Sequence, residues 1–412
     1  MVVEIWGEVA EGFEPVREAF ARNFREYGEL GAAFALYHDG RKVADLWGGD
    51  ARPEVGGRPA PAVAWTADTA QVLRSVTKGL TAAAALHLVG QGRLDLDAPV
   101  SSYWPEFKAA GKDRVPVRWL LSHQTGIPAL DVPLRVEDVI AWEPAVAAVA
   151  AQAPFWEPGR AHGYHPYTFG WLVGEVVRRA DGRSVGRYFA EEIAQPLGLD
   201  LWIGLPAGAA PRVGRLVDLP GPAAAAQSAS GGLRLRPKAS VTAAYQDRTS
   251  LTSRSFASVR SAVDLNDPAI QAVEIPGAGA IGTARSVARL FAALIGAADR
   301  HGGTPGERLP ALFGPELLGE AMGPAVSGPD KVLIVNTTFG HGFFRHGPSS
   351  PMASPASFGH PGRGGSLGFA DPELGIGFAY VTNGMMPGVT GDIRSRTLIA
   401  AVRQVLADRQ PV

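Results

Sequence analysis

The chain has 412 residues, of which 46% are hydrophobic and 19% charged, and its Lys+Arg and Asp+Glu totals of 39 and 40 leave a net charge of -1. At ~150 residues per domain this is two or three domains, or one large α/β unit with an insertion. The balanced charge argues against nucleic acid as a partner, and the absence of cysteine excludes disulfides, thiolate metal sites and cysteine nucleophiles. The start, Met1-Val-Val-Glu-Ile-Trp-Gly7, has no basic stretch leading into an apolar run, so no secretory signal is expected. The longest apolar stretch, Gly79 to Gly90, contains His87 and is far short of the ~20 residues of a spanning helix. A cytoplasmic enzyme without membrane contact is expected.

In chain order, helical spacing covers Phe13 to Tyr27. Strand-like runs follow at Ala32–Tyr37 and Lys42–Trp47, joined through Asp39-Gly40, a strong hairpin signal. Helices are predicted over Gln71–Gly90, Tyr167–Arg179 and Ser184–Leu197, then an irregular Ala/Gly/Pro-rich connection over Pro206–Lys238. All nine tryptophans precede that connection, so the composition shifts there, and no internal repeat is found. Near the end a second hairpin reads as Ser366–Ala370 and Ile376–Thr382, and Leu398, Ile399, Val402, Val405 and Leu406 recur at helical spacing. The expected fold class is α/β (α+β): an antiparallel sheet flanked by helices and built from both termini, with an inserted, mainly helical domain. The boundaries drawn are 1–70 with 265–412 for the sheet domain and 71–264 for the insertion.

Three short motifs carry chemistry. In Ser75-Val-Thr-Lys78 the serine and lysine lie three apart, on one face of a helix, so Oγ and Nζ can approach. A serine hydroxyl needs a base, and an uncharged lysine can serve. Lys78 is the only charged side chain from Val76 through Gln91, and the helix after it is apolar nearly all round, so burial should depress its pKa. Of the six lysines, only Lys78 has a serine three residues before it. The bland reading is a helix-start serine with a lysine that snorkels to solvent. Tyr164-His165-Pro166 offers a phenol that can relay a proton, or a tyrosine that merely fixes a turn. His360-Pro-Gly-Arg-Gly-Gly-Ser366 precedes a strand; its glycines let backbone N–H groups approach an oxyanion, or simply form a strand entry.

Together, Ser75-x-x-Lys78, a tyrosine some ninety residues on and a late box ending at Gly362 resemble the serine β-lactamase and penicillin-binding-protein superfamily. Within it the chain looks most like the family VIII carboxylesterases, which are similar to class C β-lactamases. Val43–Gly49, Gly92–Val100, Leu120–Gly126 and Phe169–Glu175 add to the likeness, which runs from about Ala32 to Asn383. The resemblance implies a cleft between sheet and helical domains, with Ser75 as nucleophile and Lys78 and Tyr164 sharing proton transfer. It also implies an oxyanion hole from the backbone N–H groups of Ser75 and Arg363, and His360, Gly362 and His165 lining the substrate cleft. Two positions depart from the β-lactamase pattern: the late box is His360-Pro361-Gly362 instead of Lys-Thr-Gly, and Pro166 stands where the tyrosine motif ends in Asn.

Two decoys need weighing. Gly364-Gly-Ser366-Leu-Gly368 fits a G-x-S-x-G nucleophile elbow, but no histidine follows His360 to complete its triad. Gly277-Ala-Gly279-Ala-Ile-Gly282 fits a dinucleotide fingerprint, yet the helix after it leads only to the Asp299–Pro305 loop; a glycine turn beside the cleft is expected. His87 and His123 read as structural. No cofactor and no metal are expected. The reading is hydrolysis of small carboxylic esters through a Ser75 acyl-enzyme. The alternatives are acyl transfer, D-amino-acid amide or peptide cleavage, β-lactam hydrolysis, or an inactive binding homologue.

Overall fold

The structure is a computed structural model, and it describes residues 3–53, 63–219, 239–260, 263–296 and 311–409. Its centre is a nine-stranded antiparallel sheet of β1 (Ile5–Val9), β2 (Gly31–His38), β3 (Arg41–Gly49), β4 (Val326–Pro329), β5 (Asn336–Phe339), β6 (Phe344–Arg345), β7 (Phe358–Pro361), β8 (Leu367–Asp371) and β9 (Ile376–Thr382), in the order β1-β3-β2-β9-β8-β7-β6-β5-β4. Both hairpins read from the sequence are present, as β2–β3 and β8–β9. Asp39 and Gly40 turn the first with φ of 45° and 78°, the left-handed pair that matches strand twist. The two hairpins join at the middle of the sheet, where Ala35 faces Ala379 across β2 and β9.

Helices cover both faces. On one, α1 (Glu14–Glu26) packs on the terminal α5 (Ile393–Ala407), and Phe13, Val16, Phe20, Leu398 and Val402 bury against Phe34, Leu36 and Phe378. On the other, Ala33, Ala35 and Val381 join the larger core with Leu290 and Phe291 of α4 (Ala284–Leu294). Alternate residues of β2 thus feed opposite cores, the period-two consequence of strand geometry. Helix α4 lies close because glycines face it: a Cβ on Gly377 would sit 2.4 Å from the Ala288 carbonyl oxygen, and one on Gly368 2.5 Å from the Phe291 ring. Among the described residues, the segment between β3 and α4 has more helix than strand and contains α2 (Thr77–Gly90) and α3 (Thr168–Asp181). Of the expected irregular connection, Ala207–Arg212 forms a 3-10 turn and Val217–Asp218 a short strand; 220–238, like the Asp299–Pro305 loop, lie outside the described residues.

The termini are locked by a buried ion network. Arg394 at the start of α5 is fully buried and pairs with Glu29 Oε2 and Asp392 Oδ2, both at 2.9 Å. Its Nη2 donates to the Gly364 carbonyl at 2.6 Å and its Nη1 to that of Gly384 at 2.8 Å. Glu29 also accepts from the hydroxyls of Tyr380 and Thr382. Burial outweighs even this partner set and lifts the Glu29 carboxyl above its ordinary range. Arg394→Ala strands that carboxylate, so it should lower unfolding stability by about 3–5 kcal/mol, read as the shift of a urea midpoint. A shift below ~1 kcal/mol, the worth of an exposed pair, would mean that the network does not hold the termini.

Candidate active site

The nucleophile candidate sits on a joint between a strand and a helix. A single helix over Gln71–Gly90 is expected from the sequence; instead Gln71–Val72 is a short strand paired with Ile281–Gly282, Arg74–Val76 is one 3-10 turn, and α2 begins at Thr77. Backbone pairing to the glycine-rich Gly277–Gly282 segment outcompetes helix propensity there, and Leu73 N–H also donates to the Ala280 carbonyl. Arg74 takes a left-handed φ of 52°, costing an L-residue ~1–3 kcal/mol, a sign of local over-determination. Ser75 is half-buried at the mouth of this joint.

Lys78 is fully buried one turn on. Its Nζ donates to the Pro166 and Gly277 carbonyls, both at 2.7 Å, and lies 3.4 Å from Ser75 Oγ. Gly277 comes within reach because Gly170 in α3 has no side chain; a Cβ there would stand 2.4 Å from the Gly277 nitrogen. Burial, helped by the nearby Arg74 charge, holds the Lys78 pKa well below its ordinary value. A neutral amine has two N–H bonds and one lone pair. With both N–H groups given to carbonyls, the lone pair is left for Ser75.

Tyr164 is also buried, its ring 4.9 Å from Lys78 Nζ and 6.0 Å from the His360 ring. Burial raises its phenol pKa, and the Ser75 hydroxyl lies near enough to offset part of the rise. The phenol oxygen still makes no well-formed hydrogen bond within the protein. Its backbone is fixed by a residue that sequence reading missed: Tyr164 N–H donates to both oxygens of buried Asp330, at 3.1 Å each. Asp330 also accepts from the Val332 and Leu333 amides, an Asx-type turn for which the only sequence signal is Gly328-Pro329-Asp330.

His360 lies in β7 beside Tyr164 and is buried. Nδ1 faces the Pro361 carbonyl at 2.7 Å, so it carries the proton, and Nε2 is an unpartnered acceptor. Burial holds it neutral. Gly362 and Gly365 close a tight turn, with Gly365 N–H donating to the Gly362 carbonyl at 3.2 Å and Arg363 exposed at the tip. Gly362 presses on the nucleophile joint: a Cβ there would be 2.5 Å from the Leu73 carbonyl oxygen. Among the described residues, neither Ser75 N–H nor Arg363 N–H donates to another protein group, so both can serve an incoming oxygen.

Expected to line the cleft, His165 sits elsewhere. It is fully buried, Nδ1 donates to the Gly163 carbonyl at 2.6 Å, and Nε2 accepts from the Thr125 hydroxyl and Ile127 N–H at 2.8 and 3.2 Å. Every polar atom of its ring is used inside the protein, and its pKa falls to about 3, mainly through burial. It braces the tyrosine loop together with His123, whose Nδ1 accepts from His165 N–H. The decoy Ser366 is buried, with Oγ taking the Thr382 N–H at 3.3 Å, unlike an exposed elbow. Among the described residues no group of three or more His, Cys, Asp or Glu is placed to hold a metal, and no helix is long and apolar enough to cross a membrane.

Residues 18–402 match the family profile described as Beta-lactamase. The chain belongs to the beta-lactamase family. Within this family it is 34% identical to the Esterase/beta-lactamase LipL of Mycobacterium tuberculosis over 93% of this chain and 83% of that protein. The crystal structure of a family VIII carboxylesterase superposes with a TM-score of 0.82 at 36% identity, covering 98% of this chain and all of the other. EstA from Arthrobacter nitroguajacolicus Rue61a gives 0.81 at 30% identity, with 98% and 100% covered. The chain is therefore a hydrolase of the esterase/beta-lactamase family, in which the mixed antiparallel-sheet fold is the shared scaffold.

A base role for neutral Lys78 would fix the sign of the pH response. Activity should rise as pH climbs through the depressed Lys78 pKa and flatten well below the usual lysine range. Lys78→Arg keeps the charge but cannot lose its proton, so kcat/KM should fall ~10²–10⁴-fold in a protein with unchanged circular dichroism. Near wild-type turnover in that variant would remove lysine from the role.

Proposed function

We propose that this chain is a serine esterase that cleaves small carboxylic esters through an acyl-enzyme on Ser75. The observation that carries the reading is Lys78 Nζ, bonded to the Pro166 and Gly277 carbonyls and 3.4 Å from Ser75 Oγ. Ser75 Oγ forms a bond to the ester carbonyl carbon while its proton passes to Lys78 Nζ. Negative charge moves onto the carbonyl oxygen, where the Ser75 and Arg363 N–H groups take it, each worth ~3–4 kcal/mol in comparable oxyanion holes. The carbon–oxygen bond to the alcohol then breaks.

Tyr164 supplies the proton for the departing alkoxide and recovers one from the Lys78 ammonium. This division follows from opposite shifts: burial makes Lys78 easier to deprotonate and Tyr164 harder. A phenol held protonated suits a donor. His360 Nε2, buried beside it without a partner, accepts a hydrogen bond from the phenol or the substrate. Water entering on the acyl-enzyme reverses the path, giving its proton to Lys78 and releasing the acid.

The late-box position of the β-lactamase lysine is His360, neutral here, and the asparagine position is Pro166, whose carbonyl is committed to Lys78. Esters should therefore be turned over far better than penicillins. The check is kcat/KM for 4-nitrophenyl butyrate against benzylpenicillin, alongside mass-spectrometric labelling by a phosphonate. Labelling should survive in Ser366→Ala and vanish in Ser75→Ala; the reverse pattern, or a higher kcat/KM for penicillin, sinks the proposal.

A further inference from the structure

The side chains of Arg74 and Arg363 make no contact with substrate in the chemistry above, where Arg363 lends only its backbone N–H and Arg74 only its charge beside Lys78. Several arginines of this protein are ion-paired: Arg118 with Asp97, Arg183 with Asp181, Arg178 and Arg179 with Glu175. Arg74, immediately before Ser75, and Arg363, at the tip of the oxyanion turn, have no ion pair and no side-chain hydrogen bond among the described residues. Arg74 Nε is wholly covered yet unbonded. The two belong to touching segments, since a Cβ on Gly362 would stand 3.4 Å from Arg74 Cβ. The Arg363 charge lies close enough to disfavour that of Arg74, while Tyr167, Asp218 and Tyr164 lie near enough to favour it. Tyr245, half-exposed on Ala239–Gln246, is near enough to feel Arg363.

Among the described residues neither Asp218 nor Asp330, two carboxylates of this neighbourhood, forms an ion pair with either cation. Burying an unpaired charge is costly, and an arginine held at a strained φ beside a second arginine is an arrangement that an anion relieves. Planar guanidinium groups fit a planar carboxylate with paired hydrogen bonds. We propose that Arg74 and Arg363 form an anion-recognition subsite beside Ser75 that selects esters carrying a carboxylate on their acyl or alcohol part. The proposal rests on Ser75 esterase chemistry and narrows its substrates. Neither arginine occupies the late-box lysine position, which is His360.

The test uses matched pairs: 4-nitrophenyl hexanoate against mono-4-nitrophenyl adipate, which places the charge on the acyl side, and 3-carbamoylphenyl butyrate against 3-carboxyphenyl butyrate, which places it on the alcohol. In wild type the charged member of at least one pair should have the higher kcat/KM, and the preference should shrink as NaCl screens it. Arg74→Gln and Arg363→Gln should each cut the charged-to-neutral ratio ~10-fold or more, the worth of a charged hydrogen bond. Circular dichroism checks folding; should Arg74→Gln fail it, the exposed Arg363→Gln and the wild-type salt series decide. Preference for the neutral member in both pairs, or ratios unmoved by salt and by both variants, overturns the subsite. Failure of the esterase reading looks different: no phosphonate on Ser75 and no turnover of any ester. In that event adipate against adipamide in a thermal-shift assay judges the subsite, which stands if adipate alone raises Tm in wild type but not in Arg74→Gln, and falls otherwise.

Discussion

The site depends on an amine deprived of water and of any partner carboxylate. Lys78 is buried on an apolar helix, and among the described residues its hydrogen-bond partners besides Ser75 are two backbone carbonyls from separate segments. A carboxylate in their place would hold the ammonium charged and leave no base. Carbonyls do the opposite: they orient the amine through its N–H bonds while burial strips its proton. Much nearby architecture serves this arrangement. Gly170 clears the approach of Gly277, Pro166 ends the tyrosine loop with its carbonyl aimed inward, and His165, Thr125 and Asp330 fix the loop from behind.

The second constraint comes from the far side of the Gly362–Gly365 turn. Gly364 offers its carbonyl to Arg394, and a Cβ on Gly365 would collide with Arg394 Nη2 at 2.4 Å. The turn that presents Arg363 N–H is thus seated on the same buried ion network that ties Glu29 to the terminal helix. Stability of the sheet domain and geometry of the site share one set of contacts, so a change at either end of the chain is felt at Gly362–Gly365.

Much of this was legible in the residues. The hairpins at Asp39-Gly40 and Asp371–Gly375, the helices ending in Glu26, Asp181 and Leu294, and the juxtaposition of Ser75, Lys78 and Tyr164 follow from local pattern or motif order. What escaped was set by contacts between distant segments. The Gln71–Val72 strand exists only because Ile281–Gly282 lies beside it, and nothing in Gln-Val-Leu-Arg announces that pairing. Short strands such as Phe344–Arg345 carry too few residues to show a period. Asp330 acts on a tyrosine far away in sequence, and His165 looked like a cleft residue because it adjoins Tyr164, whereas adjacent side chains in extended backbone point opposite ways.

The pairing of β2 with β9 also imposes an order in time. During synthesis the hairpin of β2 and β3 emerges early, but the partner for the free edge of β2, Ile376–Thr382, lies near the other end of the chain. At ~5–20 residues per second, that partner follows on the order of tens of seconds later. Throughout that interval Ala32-Ala-Phe-Ala-Leu-Tyr37, an apolar strand with unpaired backbone groups along one side, is open to any other strand. The sheet cannot close, and the Gly362–Gly365 turn cannot seat, until the last strands arrive. Yield of folded protein in a cell therefore hangs on what shelters six residues near the N-terminus during translation.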